Sequence, residues 1–192
     1  MVFNAAESRA EPVILALGDS LTAGFGVPEA ASYPSRLQKI LQEQGYPHRV
    51  VNAGVSGDTT AGGARRIEWL MQHKPSIVIL ELGANDSLRG VPVTEMQNNL
   101  ISIIEVCRKN GVKVLLAGMK TLPNFGPEYG EAFEGVFTHV AEKYKLPFIP
   151  FFLEGVAGRQ ELTQYDGIHP IAEGYATITQ TVWKYLQPML EK

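Results

Sequence analysis

The chain of 192 residues has 45% hydrophobic and 19% charged residues and a formal net charge of −3. That balance excludes a disordered chain and is long enough to bury a large core. The small acidic excess and the lack of any Lys/Arg run argue against nucleic acid, and nothing approaches the ~18 consecutive apolar residues of a stably inserted membrane span. The single cysteine, Cys107, excludes an intrachain disulfide and a cysteine-based zinc cluster.

Residues 1–11 lack the basic start and apolar core of a signal peptide. They read as a tail, either a native start or the stub of a trimmed precursor, ahead of one domain over 12–192. Val13 to Leu17 is an apolar run between a proline and a glycine, the pattern of a strand buried on both faces. It ends at Gly18-Asp19-Ser20. In open parallel α/β sheets, ligands bind beyond the carboxyl ends of the strands, so Ser20 is a candidate nucleophile. The loop from Thr22 to Ala31 holds Gly24-Phe25-Gly26, a G-x-G without the third glycine of a dinucleotide fingerprint. Ser32 is expected to cap a helix with Pro34 in its first turn and Leu37, Ile40 and Leu41 inward, ending at Gly45.

Arg49 to Ala53 reads as a second strand, followed by the loop Gly54-Val55-Ser56-Gly57. Asp58 is expected to cap a helix with Ala61, Ala64, Ile67, Leu70 and Met71 inward, closed off by Pro75. The pair Arg65-Arg66 reads as a solvated helix face. Ile77 to Leu82 is a third strand, β-branched and almost wholly apolar, hence central, and it ends in Gly83-Ala84-Asn85-Asp86. Thr94 with Gln97 has the spacing of a capping box before Leu100, Ile103, Ile104 and Cys107, with Asn110-Gly111 as the stop. Val112 to Ala117 is a fourth strand, leading to a Pro/Gly-rich loop from Gly118 to Pro127. Phe133, Val136, Phe137, Val140 and Tyr144 mark a helix. Pro147 to Pro150 is a short fifth strand whose prolines place it at the sheet edge. The last helix is expected to bury Tyr175, Ile178, Val182, Trp183 and Leu186. Alternation of strand and helix throughout argues an α/β fold, a parallel sheet with helices on both faces.

A parallel sheet opens all its strand-to-helix loops on one edge. Those loops hold Ser20, then Gly54, Ser56 and Gly57, then Asn85 and Asp86, and a last loop carries Asp166 and His169. This is the inventory of acyl transfer by a serine. His169 can take the hydroxyl proton, Asp166 three residues earlier can hold the imidazole tautomer, and the N–H groups of Ser20 and Gly57 with the Asn85 amide can receive an oxyanion. Alone, each member has an ordinary reading as a turn or cap residue. His48, His73 and His139 show no metal-ligand spacing and read as surface residues, so no metal is expected. Leu88 and Leu122, on the loops Ser87–Pro92 and Lys120–Phe125, are candidate acyl contacts.

Gly18-Asp19-Ser20-Leu21, Asn52-Ala53-Gly54-Val55-Ser56-Gly57-Asp58-Thr59, Gly83-Ala84-Asn85-Asp86 and Asp166-Gly167-Ile168-His169-Pro170 resemble, in order, the blocks of the SGNH (GDSL) hydrolase family. The nearest branch is that of bacterial thioesterases, lysophospholipases and arylesterases. The resemblance implies a flavodoxin-like three-layer fold with strand order 2-1-3-4-5 and a Ser20–His169–Asp166 triad. It also implies an oxyanion donor at Gly57 (Gly54 being the less secure match), carboxylic ester or thioester substrates, and no cofactor. A periplasmic or secreted location follows from the resemblance, and a cytoplasmic one is the alternative where no leader is visible. The competing functions are a carbohydrate O-acetyl esterase of the same family, a non-catalytic binding module on the same fold, and a nucleotide-binding domain. The last lacks both a Walker lysine motif and a complete glycine fingerprint.

Overall fold

The computed structural model describes residues 11–191. Apart from Glu11, the tail expected at 1–11 lies outside the described residues. Five strands form one parallel sheet: β1 (Val13–Gly18), β2 (Arg49–Gly54), β3 (Pro75–Glu81), β4 (Lys113–Ala117) and β5 (Phe148–Ile149). Their order is β2-β1-β3-β4-β5, as the resemblance implied. β1 is buried over its whole length, and β3 everywhere except Ser76. A strand covered by helices on both faces has no side to show to water, which is why neither sequence alternates. β5 is an edge strand of two residues flanked by Pro147 and Pro150.

The strand order decides the helix layers. From β1 the chain steps to β2 through α2 (Tyr33–Glu43). It then reverses direction, to β3 through α3 (Thr60–Leu70), to β4 through α5 (Val93–Lys109) and to β5 through α6 (Pro127–Tyr144). With right-handed crossovers, a reversed step lands on the opposite face. Accordingly α3, α5 and α6 pack side by side in one layer, while α2 packs against α7 (Ala172–Leu186). The short helices α1 (Ser20–Ala23) and α4 (Ala84–Leu88) begin just beyond β1 and β3. Leu37 and Leu41, Ile67 and Leu70, Leu100, Ile103 and Ile104, Phe133 and Phe137, and Tyr175, Ile178 and Val182 are all buried against the sheet. Cys107 is buried among them, and burial pushes its thiol up to about 12, so it packs as an unreactive small hydrophobe.

Several local expectations are corrected. Helix α3 is capped by Thr59, whose hydroxyl accepts the Gly62 N–H at 3.4 Å, and not by Asp58, which pairs with Arg66 at 2.8 Å. The Thr94/Gln97 capping box does not form, because α5 starts one residue before Thr94, directly after Pro92, whose φ of −55° suits a helix entry. Ser32 occupies the cap position of α2, but its hydroxyl donates to the Glu29 carbonyl instead. His48 is buried, not exposed, and burial lowers its pKa. Trp183 is half-buried, its ring edge-on to Tyr46.

The Arg65-Arg66 pair divides between two environments. Arg65 is exposed as expected, but the Arg66 side chain is only 20% exposed. Its guanidinium donates to Asp58 Oδ2 at 2.8 Å, to the Ala53 carbonyl at 2.6 Å and to the Gly18 carbonyl at 3.0 Å. One side chain thus ties together the carboxyl ends of β1 and β2 and the loop that leaves β2. Arg66→Ala should destabilise the fold by about 3 kcal/mol, as expected for a largely buried charge pair that loses one partner, while Arg65→Ala should stay within about 0.5 kcal/mol. Urea unfolding measures both, and equal midpoints would contradict this reading.

Candidate active site

The site begins with strand register. Gly18 at the end of β1 stands level with Gly54 of β2 on one side and Glu81 of β3 on the other, so three loops leave the sheet at the same height. The chain turns sharply at Asp19, whose Oδ1 caps α1 by accepting the Leu21 N–H at 3.0 Å. This makes Ser20 the first residue of a helical turn, with its side chain free to leave the sheet edge.

His169 Nε2 lies 2.9 Å from Ser20 Oγ, and His169 Nδ1 lies 2.6 Å from Asp166 Oδ2. The turn that presents them is self-bonded: Asp166 Oδ1 accepts the N–H groups of Ile168 and His169, both at 2.9 Å. Partial burial works against the charge of Asp166, but these bonds outweigh it and hold its carboxyl below the usual range. An ionised Asp166 accepts from Nδ1–H, which leaves Nε2 as the acceptor for the serine proton. Gln164 anchors the turn to the loop after α1 by donating to the Phe25 carbonyl at 2.8 Å and to the Pro170 carbonyl at 3.0 Å. The Phe25 ring packs on the His169 ring, with centroids 4.7 Å apart.

Gly57 lies on the loop after β2, which docks beside Ser20 through a bond from the Val55 N–H to the Gly18 carbonyl. Gly57 has a φ of +81°, a conformation that favours glycine, and its carbonyl accepts from Arg89 Nη2 at 2.6 Å. Neither the Gly57 nor the Ser20 N–H is engaged by another group among the described residues. Asn85, in the first turn of α4, donates from Nδ2 to Asp19 Oδ2 at 2.9 Å. One amide hydrogen is committed there and the second is available. Behind it, buried Asp86 accepts from the Thr60 N–H at 2.9 Å and from Thr60 Oγ1 at 2.5 Å, which fixes the start of α3 against α4.

Leu88 and Leu122 are 46% and 41% exposed. Leu88 is the last residue of α4 and not part of the loop expected over Ser87–Pro92, and Ser87 beside it meets the loop of Leu122 through its hydroxyl, 2.5 Å from that of Thr121. Phe25 and Val55 add further exposed apolar surface on the other strand-end loops. Among the described residues no group of three His, Cys, Asp or Glu side chains could hold a metal, and no helix is long and apolar enough to cross a membrane.

Reading the sequence missed Asp19, Glu81, Arg66 and Arg89. The signal for Asp19 was present, an acid between a buried strand and a candidate nucleophile, but nothing local says what its carboxylate bonds. Asp19 is buried, and burial lifts its pKa to about 6, opposed by the bonds from Leu21 N–H and Asn85. A raised carboxyl pKa favours the folded state most below the ordinary value of 3.8. That contribution fades as the pH climbs through about 6. Asp19→Asn should therefore lose less stability than the wild type between pH 4 and pH 7. Thermal melts of both proteins across that range test it, and parallel pH dependences would contradict it.

Residues 16–177 match the model of the "GDSL-like Lipase/Acylhydrolase family". The chain is 44% identical over 185 residues to "Esterase TesA" of Pseudomonas aeruginosa, spanning 96% of this chain and 92% of that protein. It is 35% identical over 184 residues to "Thioesterase 1/protease 1/lysophospholipase L1" of Escherichia coli strain K12, spanning 95% and 87%. A crystal structure of TesA superposes with a TM-score of 0.90 at 45% identity, covering 93% of this chain and 99% of that one. With the family model spanning most of the sequence and the fold shared over nearly its whole length, the chain belongs to the GDSL-like lipase/acylhydrolase family.

Proposed function

We propose that the protein hydrolyses carboxylic esters and thioesters of acyl substrates through a covalent acyl-enzyme on Ser20. The observation that carries this reading is the unbroken line from Ser20 Oγ through His169 to Asp166, at 2.9 and 2.6 Å. A serine hydroxyl is a weak nucleophile until a base takes its proton, and this geometry supplies the base and the group that orients it.

In the first half-reaction Ser20 Oγ adds to the substrate carbonyl as its proton passes to His169 Nε2. The carbonyl oxygen becomes an oxyanion, received by the N–H groups of Ser20 and Gly57 and by the second Asn85 amide hydrogen. The intermediate collapses as the bond to the leaving alcohol or thiol breaks, and the His169 proton goes to that leaving group. In the second half-reaction His169 takes a proton from water, which attacks the acyl-enzyme, and the same steps in reverse roles release the carboxylic acid and restore Ser20. Asp166 stays ionised and stabilises the imidazolium formed in each half. The apolar rim, with Leu88 and Leu122 as acyl contacts, suits substrates whose acyl or leaving group is apolar. The relatives named esterase and thioesterase support both leaving-group classes.

Asn85 separates catalysis from simple turn formation. Its amide acts on a charge that exists only in the tetrahedral intermediate, so the effect falls on turnover more than on binding. Asn85→Ala should lower kcat by ~10²–10³, roughly 3–4 kcal/mol, with KM changed far less, and Ser20→Ala should leave no measurable turnover. Steady-state kinetics on a p-nitrophenyl ester and on an acyl thioester, with a melting curve for each variant, measure this. Full turnover in a folded Ser20→Ala variant would refute the proposal.

A further inference from the structure

One buried charged-type side chain near the site has no part in the steps above. Glu81 is the last residue of β3 and is wholly buried, directly beside the point where β1 gives way to the nucleophile turn. Its Oε2 accepts from Thr22 Oγ1 at 2.7 Å and from the Asp19 N–H at 3.4 Å. Its Oε1 has no partner among the described residues. Thr22 is buried as well, on the same helical turn as Ser20, and its hydroxyl lies 3.5 Å from the buried Tyr33 hydroxyl. The fit is close: a Cβ added at Gly18 would fall 2.0 Å from Thr22 Oγ1 and 2.5 Å from Glu81 Oε2. A glycine there is required by this approach of strand, turn and carboxyl.

We propose that Glu81 is a positioning residue, which holds the Thr22 hydroxyl and the Asp19 N–H and through them sets the Ser20 hydroxyl and the Asn85 amide in place for the reaction. The route is short. Asp19 and Thr22 bracket Ser20 in the chain, and Asp19 also carries the bond to Asn85. Both the nucleophile and one oxyanion donor therefore rest on groups that Glu81 contacts or that lie next to them. A carboxyl at the end of an otherwise apolar central strand is costly to bury, and a Leu or Ile would fill the space without that cost. Its presence is accounted for by the two donors that it satisfies.

The charge state follows from the surroundings. No ion pair among the described residues includes Glu81. The titratable groups that face it are Asp19 at the end of β1, Tyr33 of α2 and Tyr175 of α7, and burial holds both tyrosines neutral. Burial and the neighbouring Asp19 carboxylate raise its pKa well above the ordinary value. A neutral Glu81 carboxyl beside an ionised Asp19 is the arrangement that this pair favours. Glutamine has the same shape as the neutral acid and retains the acceptor, whereas leucine removes it.

This inference rests on the serine-hydrolase reading, and the test separates the two. Wild type, Glu81→Gln, Glu81→Leu and Thr22→Val are compared in ester hydrolysis and in the rate of Ser20 labelling by a fluorophosphonate. Glu81→Leu should lower kcat at least 30-fold and slow labelling at least tenfold, with KM within threefold. Thr22→Val should move both in the same direction. Glu81→Gln should return kcat to within threefold of wild type, with the pH profile of kcat/KM unmoved because no charge is removed. Should Glu81→Leu fail to fold, Thr22→Val decides alone. Unimpaired kcat and labelling in Thr22→Val, or in a folded Glu81→Leu, would overturn the positioning role. A Glu81→Gln variant as impaired as Glu81→Leu, or with a shifted pH profile, would overturn the neutral carboxyl. A wild-type protein that is not labelled on Ser20 would refute the serine reading itself.

Discussion

Parallel register places Gly18 between Gly54 and Glu81 at one height, and this decides what Ser20 can touch. Because the sheet order reverses at β1, the connection after β1 leads to α2 on one face while those after β2 and β3 lead to α3 and α5 on the other, and a crevice opens between them. Ser20 stands at the head of that crevice. Gly57 comes to it from β2 and Asn85 from β3. The histidine turn reaches back to the same point from the far end of the chain, 149 residues later, and is fastened there by Gln164. A slip of one residue in β1 would turn every one of its side chains to the other face and carry the nucleophile out of this meeting point.

The electrostatic arrangement is layered around the serine. Exposed to solvent, Asp166 is kept ionised by three bonds and serves the imidazole. Beneath the serine, Asp19 and Glu81 are both buried, burial raises the pKa of each, and the Asp19 carboxylate makes ionisation of Glu81 harder still. Asp19 receives the Leu21 N–H and the Asn85 amide, which favour its charged form, whereas Glu81 is held toward the neutral form. Three carboxyl groups of similar intrinsic acidity thus differ in state because their surroundings differ. The cations that brace the site, Arg66 and Arg89, bond to backbone carbonyls at Gly18, Ala53 and Gly57 and hold the loops from outside.

How far the sequence could be read depended on the range of each interaction. The strands expected from Val13, from Ile77 and from Val112 were legible, to within one or two residues at their ends, because burial on both faces leaves a run of β-branched and apolar residues. The strand order and the four site-bearing loops were legible through the family blocks, and chemistry ties those blocks to specific residue types. The bond from Asn85 to Asp19 and the contact of Glu81 with Thr22 were not, since they join residues 66 and 59 positions apart and neither pair has a local pattern. Arg66 and Arg65 look alike in sequence and differ only because one faces Asp58 and two strand ends. The capping box at Thr94 failed for a local reason: Pro92 already supplies a helix-compatible φ, so the helix starts before the hydroxyl can cap it. His48 shows no periodic signal; it stands just before β2, with its carbonyl accepting from Gln38 of α2 and its ring edge-on to Tyr46.

The central claim is that the acyl group passes through Ser20. Rapid mixing of the protein with a p-nitrophenyl ester, quenched at successive times, tests it most directly. If deacylation is slow enough at low temperature and mildly acidic pH, p-nitrophenol should appear in a burst equal to the protein concentration. Intact mass should rise by the acyl group minus one hydrogen, and peptide mapping should place that mass on Ser20. Hydrolysis that proceeds with no acylated protein at any time under single-turnover conditions, or with the acyl group on another residue, would contradict the account.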